Sequence, residues 1–180
     1  MITALLALFA STAMAQDSVG AVTLGGGVGQ FIDSDAPVSM RISLAGEANI
    51  VQSEAATLAV LVPLELDRNQ AEAFGVTATR YGIELPVSLR VGLLPGGLAR
   101  PIIDLGFGPT YVAGEVSTVF GTGSDSNLGW VARGSLGVQV GASESGGIFV
   151  QVEPAGYRII GMGDDSVQEY VAQASIGVRL

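Results

Sequence analysis

Arginines and carboxylates recur in this chain at even spacings, and that spacing decides what chemistry they can do. Arg80, Glu84 and Arg90 share one parity of a single alternating stretch, and Arg100 and Asp104 share one parity of the next. A strand has a side-chain period of two, so each set lies on one face. Guanidinium can fork onto carboxylate and satisfy several acceptors at once. Ion-pair chemistry is therefore the first expectation. Acid–base or nucleophilic chemistry lacks its usual parts. There is no histidine and no cysteine, and all eight basic residues are arginine. That removes the common general base, the thiolate nucleophile and the commonest metal ligands.

Other constellations are weaker. Glu65 and Glu84 could be imagined as an acid–base pair, but each is expected to face arginine, which would hold both ionised and inert. Gly25-Gly26-Gly27 lacks the spacing of a dinucleotide loop, a helix after it and a phosphate-binding lysine. Its glycines are expected to make room for large side chains across a narrow interior. Gly123-Ser124-Asp125-Ser126-Asn127 and Gly161-Met162-Gly163-Asp164-Asp165 lack the ligand order of a calcium loop and read as turns. The net charge of −9, without a basic patch, argues against nucleic acid. No cofactor, metal site or catalytic residue is expected, and the chain is not expected to be an enzyme.

The elements that must carry these residues are strands. Tyr170 to Leu180 alternates throughout, with Tyr170, Ala172, Ala174, Ile176, Val178 and Leu180 on one face and Gly177 and Arg179 among those on the other. Eight such segments are expected: Ala21 to Gln30, from Val38 on towards Val51, Ala56 to Asp67, Arg80 to Leu93, Arg100 to Ala113, Leu128 to Gly141, from Gly147 to a bulge or end near Pro154, and the C-terminal strand. Short turns at Gln52-Ser53-Glu54, Pro95-Gly96-Gly97 and Ser143 to Gly146 alternate with longer polar loops. Those loops are expected at Phe31 to Pro37, Arg68 to Gly75, Gly114 to Asn127 and Gly161 to Ser166.

Hydrophobic residues make up 48% of the chain and charged residues 14%, against about 25% charged in soluble domains. No stretch after the N-terminus approaches the ~20 apolar residues of a membrane helix. Apolar, alternating and without a spanning helix is the pattern of a barrel that crosses lipid with strands. The apolar run Ala4 to Ala10 followed by Ala13-Met14-Ala15 reads as a cleaved secretory signal over residues 1–15, leaving 16–180 as one barrel domain. If the apolar faces meet lipid, the other faces share the interior. Their charges are Arg41, Arg80, Arg90, Arg100, Arg133 and Arg179 against Glu47, Glu65, Asp67, Glu84, Asp104 and Glu153. An eight-stranded barrel is just wide enough for side chains to fill, so a plugged interior with no open pore is expected. The remaining acids, Asp33, Asp35, Glu72, Glu115, Asp125, Asp164, Asp165 and Glu169, are placed at the external rim with Arg68 and Arg158 nearby. They read as solvated loops rather than a divalent-cation site. Tyr81, Tyr111, Trp130 and Tyr170 are placed outward near external strand ends, as an interfacial aromatic belt.

The stretches Tyr81-Gly82-Ile83-Glu84-Leu85-Pro86-Val87-Ser88-Leu89-Arg90 and Arg100-Pro101-Ile102-Ile103-Asp104-Leu105-Gly106-Phe107-Gly108 resemble paired central strands of the outer membrane protein β-barrel domain group. This includes the OmpA membrane domain, OmpX and OmpW. The end, Ser175-Ile176-Gly177-Val178-Arg179-Leu180, resembles the signal read by the outer-membrane insertion machinery, though with Leu where Phe or Trp is usual. The resemblance implies an all-β, eight-stranded antiparallel up-and-down transmembrane barrel in the outer membrane of a Gram-negative bacterium. Its partners would be membrane lipid, lipopolysaccharide and the insertion machinery. No catalytic residue is carried over. The expected role is structural, adhesive or in envelope integrity. A porin-like narrow channel for small solutes and a soluble lipocalin-like carrier, with its faces inverted, stand as the alternatives.

Overall fold

The computed structural model describes residues 20–32, 37–95, 97–141 and 147–180. The expected signal at 1–15, the turn at Ser143 to Gly146, and Asp33 and Asp35 lie outside the described residues. Nine strands follow in order: β1 (Gly20–Phe31), β2 (Ser39–Gln52), β3 (Ala56–Ala73), β4 (Val76–Glu84), β5 (Val87–Leu93), β6 (Ala99–Thr118), β7 (Gly121–Val140), β8 (Gly147–Met162) and β9 (Asp165–Arg179). All pairings between them are antiparallel, and β1 pairs with both β2 and β9. The sheet closes on itself, so its wall has no free edge.

The ring has eight staves because β4 and β5 are one stave. Sequence alternation predicts an unbroken strand from Arg80 to Leu93; the structure interrupts it at Leu85-Pro86. The register is the same on both sides of the break, with Glu65 opposite Glu84 and Leu61 opposite Ser88. That register sets Pro86 against Pro63 on one neighbour, while on the other side the Leu85 N–H donates to the Pro109 carbonyl at 3.1 Å. Proline has no N–H to give a ladder. Three prolines at one level on adjacent staves therefore cost the sheet its bonds there, without shifting its phase.

Side-chain direction follows residue parity. Met40, Ile42, Leu89, Leu105, Phe107, Leu136, Ile148 and Ile176 point outward and are largely exposed. Glu65, Glu84, Arg90, Asp104 and Glu153 point inward and are at most 2% exposed. A soluble carrier needs the opposite arrangement, which this wall excludes. The phase is broken on β8, where the pairing with β9 shifts between Glu153 and Gly156. The expected irregularity near Pro154 is a β-bulge, and β8 continues beyond it to Met162.

Two expected loops are strand. β3 runs through Arg68 to Ala73, and β6 and β7 run through the span from Gly114 to Asn127, joined at Val119-Phe120. The reason is physical. Above the level of the apolar band both faces of a strand meet water, so the ladder persists while the alternation that announces it disappears. At the β3–β4 connection Phe74 and Gly75 both have positive φ, 50° and 77°, which gives the two-residue hairpin turn whose twist suits the flanking strands.

Candidate functional site

The interior is a column of ion pairs. Near its centre Arg90 donates from Nε and Nη2 to the two Asp104 oxygens at 2.8 and 2.7 Å. Its Nη1 reaches Glu47 at 2.7 Å and Gln151 at 2.9 Å. This is a bidentate fork plus a second carboxylate, contributed by four staves. One level up, Arg133 pairs with Glu65, and Arg41 reaches Glu65 at 2.9 Å and Glu84 at 3.2 Å. Glu153 accepts from Ser135, from Gln151 at 2.5 Å and from Gln173 at 2.8 Å. Towards the end that carries the β6–β7 hairpin Arg158 bonds Asp67 at 2.6 Å and also Glu84 and Glu169, and Ser39 donates to Glu169.

The ends of the column are filled as well. Arg80 lies over the Phe31 ring at 5.1 Å. Val112, Val131 and Ile160, with Met162 against them, form an apolar patch inside the end that carries the β6–β7 hairpin. At the opposite end Arg179 donates to Gln139 at 2.9 Å and stands over Phe149 at 5.8 Å. Arg100 is buried beside Gly92. A cavity of about 20 Å³ remains between Arg41, Glu65, Arg133 and Glu153, room for about one water.

Glycine makes this filling fit. On β1 a Cβ at Gly29 would strike the Glu169 carboxylate, and one at Gly27 would come within 2.6 Å of the Ala172 carbonyl. Similar collisions await at Gly82 with Asp67, Gly106 with Ser88 and Gly177 with Phe149. The glycine-rich stretch of β1 is thus a space requirement of the packed interior.

The structure brings Arg41, Glu47, Glu65, Asp67, Glu84, Arg90, Asp104, Arg133 and Glu153 into one connected network. Arg80, Arg100 and Arg179 lie inside as well, towards the ends of the column. Two positions assigned to the external rim belong inside. Arg158 and Glu169 are 1% and 0% exposed and pair with each other. The bulge after Glu153 reverses the parity of β8 and turns Arg158 inward. Glu169 sits two residues before Val171 on the inward parity of β9, so a continued count along that strand finds it. With both included, seven arginines face seven carboxylates inside among the described residues, so the column is balanced in formal charge.

Outside, Tyr81, Tyr111, Trp130 and Tyr170 all face outward, between 39% and 62% exposed. Trp130 stacks on Phe107 with ring centroids 5.9 Å apart. Tyr157, hidden by the same bulge, joins them against Tyr170 at 5.7 Å. Above this level the hairpin of β6 and β7 rises, with Thr118 opposite Gly121. β7 meets β8 only from Trp130 onward, opposite Gly161. Gly121 to Leu128 therefore carry, among the described residues, no strand partner on their second side. The tips are apolar: Phe74, Val119 and Phe120 are almost fully exposed.

No protein-family model matches this chain. No curated protein matches it in sequence. Solved structures match its fold. Ail, the attachment invasion locus protein of Yersinia pestis, is similar with a TM-score of 0.59 at 9% identity, over 92% of this chain and 100% of that one. The outer membrane enzyme PagL matches with a TM-score of 0.59 at 13% identity, over 85% of this chain and 97% of that one. Neisserial surface protein A matches with a TM-score of 0.53 at 12% identity, over 92% and 98%. The fold is that of the small outer-membrane β-barrels.

Proposed function

We propose that this chain is an outer-membrane barrel of a Gram-negative bacterium, sealed through its middle, that displays a β-finger outside the cell for attachment. The observation that carries this reading is β7, which rises past β8: β6 stays paired with β4 up to Ser117, while Gly121 to Leu128 are left with an open edge. An open edge offers unpaired N–H and C=O groups to another extended chain, and strand addition is a common mode of protein recognition. The exposed Phe74, Val119 and Phe120 would add apolar contact beside that edge. Ail is named for attachment and shares this frame; the role proposed for this chain rests on its own β7 edge.

The role is non-enzymatic. The interior carboxylates are held by arginine, and the sequence offers no histidine or cysteine to work with them. Outer-leaflet lipid and lipopolysaccharide would surround the apolar wall. The strand end Ser175 to Leu180, which closes the ring through the Leu180 N–H to Gly20 carbonyl bond of 2.8 Å, would be the segment offered to the insertion machinery.

Surface proteolysis of intact cells, followed by fractionation, tests the address and orientation together. Cleavage is expected within Gly114 to Leu128, with the fragments retained in the outer membrane. Adhesion of cells displaying the chain to a cultured epithelial monolayer tests the role. Replacing residues 115–126 by a tight turn should abolish adhesion while leaving the barrel inserted. Recovery of the intact chain from the soluble periplasm would refute the address, and unchanged adhesion would refute the finger.

A further inference from the structure

The bulge on β8 leaves a dent in the outer wall. At Gly134, Ala155 and Gly156 the surface is formed by small residues. Larger ones stand on both sides: Leu105 and Leu136 on β6 and β7, and Tyr157 and Tyr170 on β8 and β9. The space between them is a groove of about 350 Å³. Its lining is apolar but for the Tyr157 and Tyr170 hydroxyls and for Asp104 and Ser135, whose side chains turn into the lumen to Arg90 and Glu153. The Tyr157 hydroxyl turns aside to donate to Gln168 at 2.5 Å, at the end of the groove nearer the external rim.

We propose that this groove holds one straight acyl chain of an outer-leaflet lipid, with the lipid's polar head at the level of Tyr157 and Gln168. The inference rests on the membrane reading above. The groove lies on the face that reading places in hydrocarbon, so its occupant is apolar. The groove is open to the outside and bordered by Leu105 and Leu136 on one side and Tyr157 and Tyr170 on the other, so a chain lying in it runs between these two pairs with its outer side against neighbouring lipid. The aromatic and amide groups mark the end where an amphiphile leaves hydrocarbon for water, which sets the direction of the chain. A second copy of the barrel is the other conceivable occupant. A stable interface between proteins takes about 800 Å² and roughly 20–30 residues from each partner, whereas ten residues line this groove.

The dent has a definite origin. The register of β7 against β8 shifts between Leu136 and Val138, and that of β8 against β9 between Glu153 and Gly156. Both irregularities meet at the same place. A regular ladder would put a side chain of ordinary size there in phase with its neighbours; the bulge puts Ala155 and Gly156 in succession instead. The same feature that turns Arg158 into the lumen thus opens a slot on the opposite face.

The test is native mass spectrometry of the full barrel, released from nanodiscs of either dimyristoyl or diphytanoyl phosphatidylcholine. The methyl branches of the diphytanoyl chains would meet the Leu105, Leu136, Tyr157 and Tyr170 side chains that border the groove. The wild type should retain one dimyristoyl lipid and at least tenfold less diphytanoyl lipid. Ala155→Phe fills the slot with an apolar ring on a lipid-facing site and should fold, as judged by heat-modifiable gel mobility. It should lose the retained lipid at least tenfold. An inserted wild type that holds no lipid, or holds both lipids equally, or is unaffected by A155F, would overturn the proposal. So would a dimer mass that A155F abolishes, since the occupant would then be a second barrel. A wild type that fails to enter nanodiscs would instead sink the membrane reading on which the groove depends.

Discussion

Replacing Arg90 by methionine removes the hub of the interior while keeping most of its volume. Arg90 is 2% exposed and holds Asp104 by a two-bond fork, Glu47 by a third bond and Gln151 by a fourth. With the guanidinium gone, Asp104 and Glu47 remain buried on adjacent levels without their main counter-charge. Breaking a buried pair by removing one partner costs about 3–5 kcal/mol, because the charge left behind is uncompensated. At ~1.4 kcal/mol per tenfold, the unfolding constant should rise roughly a hundred- to several-thousand-fold. The measurement is urea unfolding of the barrel reconstituted in vesicles, followed by Trp130 fluorescence, with the slope against denaturant checked for constancy. The origin of the loss is separable. Adding Glu47→Gln and Asp104→Asn to Arg90→Met removes the stranded charges, and more than half of the lost stability should return. A loss below about 1 kcal/mol for Arg90→Met alone, the range of exposed pairs, would refute the claim that this pair is buried in a sealed column. Failure of the triple variant to recover would show that the bonds of Arg90, rather than charge balance, carry the effect.

Other perturbations separate inside from outside. Gly27→Ala should destabilise the barrel by about 1–3 kcal/mol by overpacking against the Ala172 carbonyl. Its neighbour Gly26→Ala, whose Cβ would find only an ordinary contact at 3.4 Å, should be near neutral in the same urea assay. Leu89→Arg, on the outward face at mid-wall, should cost about 2–4 kcal/mol in a bilayer. Leu128→Arg, above the aromatic band on the hairpin, should cost under ~0.5 kcal/mol. Purified barrel in planar bilayers should give no reproducible unit conductance, since the side chains of Arg90, Arg133 and Arg158 and their partners span the lumen; discrete steps would contradict the plug.

Parity along strands reads the inward face well where a strand has one wet side and one apolar side. That is why Arg41, Glu65, Glu84, Arg90 and Asp104 could be assigned to one interior from sequence. The method stops where the phase slips. The bulge after Glu153 turned Arg158 from an apparent rim residue into an interior hub, and no count of alternate positions crosses a bulge without the partner strand. Glu169 was legible, because it shares the parity of Gln173 and Arg179, but its place beside polar residues made it look like loop. The hairpin of β6 and β7 above the band was not legible, since water on both faces erases the pattern that hydrocarbon imposes. Pro86 broke a strand whose alternation shows no fault, because a proline costs a ladder bond without changing which way side chains point. Which residues meet across the lumen depends on stagger between staves, and that stagger is a property of the closed ring.

The inside-out wall has one direct test, and the absence of cysteine makes it clean. Single cysteines at Leu85, Val87, Ser88, Leu89, Arg90 and Val91, each labelled with a small fluorophore before folding into vesicles, report contact with nitroxide-bearing lipid chains. Strong quenching is expected at 85, 87, 89 and 91. Weak quenching is expected at 88 and 90, where the label faces the packed lumen. The reverse alternation, or uniform protection from lipid with uniform access to aqueous iodide, would contradict the account.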